Sequence, residues 1–205
     1  MTIKSFLSPT VVLAAAAFAA QASAAVISQG AAVTLLAGPN GKPGEEITTI
    51  VDGNTSKYYG AGSVLPSIKL VPTLGSTIIT ELRIFTGNDT PGRDPSSFIL
   101  WGSNDGGATY VQITSQTITL PAARNVSGNP IPEPPGSLNY GTATFSNTNA
   151  FTTYKFDVTS VNDLSVGGAG TQFAELQLIG NVIPEPTSAL LSVIGSFGLL
   201  AVRRR

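Results

Sequence analysis

The chain has 205 residues, with 22 glycines, 14 prolines and only 11% charged side chains, the turn-rich, apolar composition of a single domain. It holds no histidine and no cysteine. That excludes Ser-His and Cys-His nucleophiles, imidazole bases, thiolate or imidazole metal sites and disulfides, so any metal must be a hard cation held by oxygens. Residues 25–182 carry seven basic against eleven acidic side chains, a net of −4, which lacks the basic patches nucleic acid requires.

In chain order, residues 1–24 begin with the positive charge of Lys4, continue in the apolar run Val11–Ala20 and end in the small-residue site Ala22-Ser23-Ala24. This is the pattern of a secretory signal peptide. A buried N-terminal helix is the alternative, but the run has no amphipathic period. From 25 to 182 the chain alternates with period two and shows no convincing amphipathic helix. The alternation predicts strands at 31–37, 46–51, 67–72, 78–85, 97–102, 111–113, 141–146, 153–158 and 173–178. Turn clusters such as "GPNGKPG", "GNDTPGRDP" and "SNDGG" separate them. Many strands joined only by loops predict an all-β, antiparallel β-sandwich over 25–182. Its predicted core includes Ile50, Leu82, Ile84, Phe98, Leu100, Val111, Phe156, Leu176 and Leu178. The longest connection, 120–141, holds five prolines, and a loop of that length is either functional or flexible.

Residues 183–205 close the chain. Pro184-Glu185-Pro186 is followed by the uncharged run Thr187–Val202 and then by Arg203, Arg204 and Arg205. Sixteen helical residues span about 24 Å at 1.5 Å each, short for a hydrocarbon core of about 30 Å. The arginine cluster stays on the cytoplasmic side, so the body lies outside the inner membrane. Both prolines lack amide protons, and Pro186 pushes Glu185 out of helical geometry, which keeps the motif extended. This tail resembles the PEP-CTERM sorting signal of Gram-negative bacteria. The resemblance implies an exosortase as partner, transient anchoring in the inner membrane, and release to the cell surface or extracellular matrix of cells that make exopolysaccharide. An uncleaved membrane anchor is the other reading. A second copy of Ile-Pro-Glu-Pro at 131–134 has no apolar run after it and reads as loop composition.

Three stretches of the body carry candidate chemistry: "VDGNTSKYYG" at 51–60, "NDTPGRDPSSFILWGSNDGG" at 88–107 and "FAELQLIG" at 173–180, read as a strand with an outward Glu175. In this order they resemble discoidin-like, galactose-binding-fold domains, which implies a jelly roll that binds carbohydrate. The resemblance also implies a structural Ca2+ with ligands Asp52, Asn54, Ser56 and Glu175. Lys57, beside that turn, is expected to compete with a cation. From the residues alone, Asp52 and Asn54 equally serve to cap a turn. Tyr58, Arg93 and Asp94 are the candidate ligand-binding residues, and Trp101 joins Tyr58 as an aromatic able to stack on a sugar. The plainer readings are an Arg93–Asp94 ion pair and aromatics at the core rim. Asp89, Asp94 and Asp105 could supply a glycosidase pair, yet nothing in the sequence marks one as an acid beside a base. The expectation is an exported, non-catalytic surface or matrix protein that binds exopolysaccharide. Its alternative is a purely structural matrix component without a ligand site.

Overall fold

The computed structural model describes residues 24–165 and 169–184. The predicted signal helix up to residue 23 and the tail from Glu185 through Pro186 to Arg203, Arg204 and Arg205 lie outside the described residues. Among the described residues no helix is long and apolar enough to cross a membrane. The described residues form eleven strands, in order β1 Ala25–Val26, β2 Ala32–Ala37, β3 Tyr58–Ala61, β4 Ser67–Val71, β5 Thr77–Phe85, β6 Pro95–Ser103, β7 Val111–Thr117, β8 Tyr140–Thr144, β9 Thr153–Val161, β10 Gly170–Phe173 and β11 Leu176–Val182. They form a four-stranded sheet (β1-β11-β5-β8), a five-stranded sheet (β2-β4-β9-β6-β7) and a short β10-β3 pair. All pairings are antiparallel.

Alternation does the folding. On β6 and β9 the inward residues Phe98, Leu100, Phe156 and Val158 are buried, while Ile99, Trp101, Lys155 and Asp157 face outward and are half-buried. A run of rings crosses the core. Phe98 lies 5.6 Å from Phe156, Phe156 lies 6.3 Å from Phe173, and Phe173 lies 5.8 Å from Tyr58. The ring run links β6, β9, β10 and β3. Each edge-to-face or offset pair adds about 0.5–1.5 kcal/mol beyond the area it buries.

Three sequence expectations need correction. Segment 46–51 is a 3-10 helix, Ile47–Val51. Its buried residues Ile47, Ile50 and Val51 recur at i, i+3 and i+4, a helical spacing, and Thr49 Oγ1 donates to the Glu46 carbonyl at 2.9 Å. Val111 is 57% exposed rather than core. The register passes from Leu100↔Thr114 to Trp101↔Gln112, leaving Ile113 as an extra, bulged residue that packs against the core in its place. Segment 173–178 is not one half-exposed strand. The chain leaves β10 at Phe173 and enters the four-stranded sheet at Leu176, and every residue from Phe173 to Leu178 is buried. No polar face exists there, so Glu175 does not point outward.

The registers give the sandwich two ends. Connections 38–57, 86–94 and 118–139, with residues 162–165, gather at one end, here the apex. Turns 72–76, 103–110 and 145–152 gather at the other, the base. Ala25 pairs with Gly180, and Val182 pairs with Thr77 at the start of β5. The chain therefore enters and leaves the domain at the base.

Candidate functional site

At the apex, the turn after the 3-10 helix is built by side chains gripping their own backbone. Asp52 Oδ1 accepts the Asn54 N–H at 3.0 Å, and Asn54 Oδ1 accepts the Ser56 N–H at 2.7 Å, the arrangement expected of Asx residues in a turn. Gly53 sits at φ +77°, and a Cβ there would lie 2.5 Å from Gln29 Nε2. The long connection locks this turn. Ile131 N–H donates to the Gly53 carbonyl at 2.9 Å, Thr55 N–H donates to the Asn129 carbonyl at 2.8 Å, and Thr55 Oγ1 also bonds the Val126 carbonyl. Asn125, buried, bonds the Thr86 and Asn139 carbonyls at 3.1 and 2.8 Å. Residues 118–139 are thus a packed strap over the apex. Their Glu133 pairs with Arg83 at 3.2 Å, which gives the first Ile-Pro-Glu-Pro copy a structural place.

Of the four residues expected at a cation, the structure brings Asp52 and Glu175 together. The Gly53 N–H donates to both Glu175 carboxylate oxygens, at 3.3 and 3.4 Å. Glu175 is fully buried, and burial, reinforced by the charge of Asp52, pushes its carboxyl up to about 9. Lys57 does not compete for this place. Its Nζ is turned away, 2.5 Å from Asp89 Oδ2 and 3.5 Å from Glu45 Oε1. Among the described residues no three acidic side chains converge tightly enough to make a cation cage. A hard cation between Asp52 and Glu175 would draw its remaining oxygens from the turn backbone, Asn54 and Ser56. Two carboxylates and the oxygens of a turn, with Lys57 engaged elsewhere, are donors of the hard-oxygen type that calcium takes.

The second apex cluster surrounds Tyr59. Arg93 lies 4.4 Å and Lys42 lies 4.7 Å from its ring centroid. Burial alone would raise the Asp89 carboxyl, but the hydrogen bond and charge of Lys57 hold it below the ordinary value. Asp94 is fully buried and receives a forked pair from Arg124, at 2.9 and 2.7 Å. Burial pushes the Asp94 carboxyl up, with Arg124 pulling against it. Gln172, also fully buried, donates Nε2 to the Thr90 carbonyl at 2.9 Å, and its Oε1 has no donor among the described residues.

The candidate ligand residues thus separate. Arg93 is at the apex surface, half-buried. Tyr58 is not available to a sugar: it is fully buried against Phe173, and its hydroxyl donates to the Pro39 carbonyl at 2.6 Å. Strand alternation turns Tyr59 to the other side of β3, where it too is buried, 7% exposed, beneath Arg93 and Lys42 at the apex. Asp94 is buried as the partner of Arg124, not of Arg93, and acts as an anchor for the strap. The three acids near each other in sequence also part. Asp105 lies at the base, separated from Asp94 by the nine residues of β6, about 31 Å at 3.4 Å per residue. Tyr59, Lys42, Arg124 and Gln172 escaped sequence reasoning. Only the Tyr58-Tyr59 doublet carried a signal, since one of two adjacent strand residues must face away from the core.

No protein-family model matches the chain, and no curated protein sequence matches it. Solved structures do. CBM32-3 from a family 31 glycoside hydrolase of Clostridium perfringens superimposes with a TM-score of 0.57 at 14% identity, covering 77% of this chain and 95% of that one. CpGH89CBM32-5 from Clostridium perfringens, solved in complex with GalNAc-β-1,3-galactose, gives 0.53 at 19% identity over 77% and 99%. A fucolectin from the serum of striped bass, Morone saxatilis, gives 0.54 at 13% identity over 80% and 51%. The fold is discoidin-like. These neighbours are carbohydrate-binding modules and a lectin, not catalytic domains, though some of them sit in enzymes.

Proposed function

We propose that this chain is an exported, non-catalytic surface or matrix protein whose discoidin-like sandwich binds carbohydrate at its apex. The observation that carries the reading is the polarity of the domain. Arg93, Lys42 and Asp89 stand around Tyr59 at the end opposite the one where the chain enters and leaves. A tether at the base would hold that array toward the surroundings. The fold supports the choice of ligand class, because structural neighbours were solved in complex with galactose and with GalNAc-β-1,3-galactose.

The tail extends the reading to an exosortase substrate held briefly in the inner membrane. Ile183 N–H donates to the Ser76 carbonyl at 2.8 Å, and Pro184 follows, exposed. The Pro-Glu-Pro motif therefore begins directly after a residue bonded to the domain. Calcium bound by Asp52 and Glu175, with Asn54 and Ser56 in support, would neutralise a buried carboxyl and fix the turn under the strap. The alternative of a self-associating matrix component without a ligand site meets blunted edges. Leu36 and Ile113 are bulged on β2 and β7, the edge strands of the five-stranded sheet, and bulges disfavour edge-to-edge pairing.

An exopolysaccharide pull-down with the chain tests the proposal. Retention that falls at least about tenfold in Arg93→Ala, with melting unchanged, supports an apex site. Equal retention of both forms, or none of either, refutes it.

A further inference from the structure

The outer face of the five-stranded sheet carries a feature that the apex reading does not use. One row of residues crosses four strand pairings in register: Thr34 opposite Lys69, Lys69 opposite Lys155, Lys155 opposite Trp101, and Trp101 opposite Gln112. Two lysines therefore face one another directly across β4 and β9. Like charges in that position are destabilising.

The surroundings compensate only one of them. Lys155 Nζ lies 3.1 Å from Asp157 Oδ2, 4.6 Å from the Trp101 ring centroid and 5.1 Å from that of Tyr110. Asp157 is already engaged on both oxygens. It accepts Trp101 Nε1 at 2.7 Å and Ser67 Oγ at 2.5 Å. Lys69 has no ion-pair partner among the described residues. Tyr110 reaches toward it across the β6–β7 turn. Gly107 stands at φ +94°, where a Cβ would lie 2.5 Å from the Tyr110 hydroxyl and 3.3 Å from Lys69 Cδ. The absence of a side chain at Gly107 lets the tyrosine and the lysine stem converge.

We propose that Lys69, Lys155 and Tyr110 form a second subsite that takes an acidic sugar unit. Its carboxylate sits between the two ammonium groups, and its ring lies against Tyr110. The facing lysines supply an electrostatic demand that a carboxylate meets. Lys155 is pre-oriented between two rings, so little side-chain freedom is lost on binding. The ring and the flanking Thr34 and Gln112 give a pyranose stacking and hydrogen-bonding surface that a bare anion would not use. The subsite lies on the sheet face toward the base, away from Arg93 and Tyr59, so it stands whether or not the apex binds sugar.

The test titrates the full chain with an alginate oligosaccharide, a polyuronate, and with a neutral galactan oligosaccharide of equal length. Inorganic phosphate and anionic phospholipid vesicles run in parallel. Alginate is expected to bind with an affinity that falls as salt rises. Lys69→Gln and Tyr110→Ala should each weaken alginate at least about fivefold and leave galactan unchanged, while Lys69→Arg retains alginate. Without ligand, Lys69→Gln should melt about 1–3 °C higher, because it removes the repulsion. The gain shows that the weakened binding is not unfolding. The proposal is overturned if alginate does not bind or if Lys69→Gln binds it as the wild type does. It also falls if Arg93→Ala abolishes alginate binding while Lys69→Gln spares it, if phosphate displaces alginate at equal anion concentration, or if only the vesicles bind.

Discussion

Glu175 makes the stability of this domain depend on pH in a direction opposite to most carboxylates. Its folded-state value is near 9 against an ordinary 4.5. The folded chain therefore holds a proton that the unfolded chain releases. The resulting stability is fully present below pH 4.5 and is lost as pH rises toward 9. The whole difference corresponds to about 6 kcal/mol at 1.36 kcal/mol per unit, comparable with the net stability of an ordinary domain. Urea denaturation in the presence of EDTA should show a loss of about 4 kcal/mol between pH 5 and pH 8. Glu175→Gln keeps the shape and removes the ionisation, so its stability should be flat over that window. Calcium should restore the wild type at pH 8 and leave Glu175→Gln unaffected, because the cation replaces the proton. A pH slope that persists in Glu175→Gln, or a wild type that is flat in EDTA, would refute the reasoning.

Four further outcomes follow, three from named contacts and one from the tail motif. Arg124→Ala leaves Asp94 buried without its forked partner. It should cost about 3–5 kcal/mol and lower the melting temperature by about 10 °C in calorimetry. Tyr58→Phe removes the bond to the Pro39 carbonyl; the expected cost is about 1 kcal/mol with sugar affinity unchanged, whereas a fall in affinity would return Tyr58 to the binding site. Glu133 forms a surface pair with Arg83, so Glu133→Ala should cost under about 1 kcal/mol and leave sorting intact. Glu185→Ala should deplete the processed form in mass spectra of the cell surface.

How far the sequence reached can be judged on single residues. Period-two alternation located β2, β4, β5, β6 and β9, because a half-buried strand must alternate whatever it packs against. The same rule failed at Phe173–Leu178, which is buried on both faces, and at Ile47–Val51, where two Thr between apolar residues fit either period. It also misplaced Val111, since one bulged residue reverses which side chains meet the core. At the candidate site, the Asp52–Ser56 turn was legible because Asx residues act on their own backbone. That Glu175 joins this turn was implied only by the family resemblance, because no local pattern links residues 122 positions apart; the expected outward direction of its side chain was wrong.

The sequence by itself determined the all-β class, the exclusion of histidine and thiolate chemistry, and the order of an apolar first segment, a strand-built body and a Pro-Glu-Pro sequence followed by an uncharged run. These follow from composition and local periodicity, which need no partner. Only the tertiary structure decided that Asp94 answers to Arg124, that Tyr59 and not Tyr58 reaches the apex, that the 118–139 loop is a strap, and that two lysines face each other across β4 and β9. Each depends on which strands pair and in what register. That choice is made by burial of the whole core, not by any segment alone.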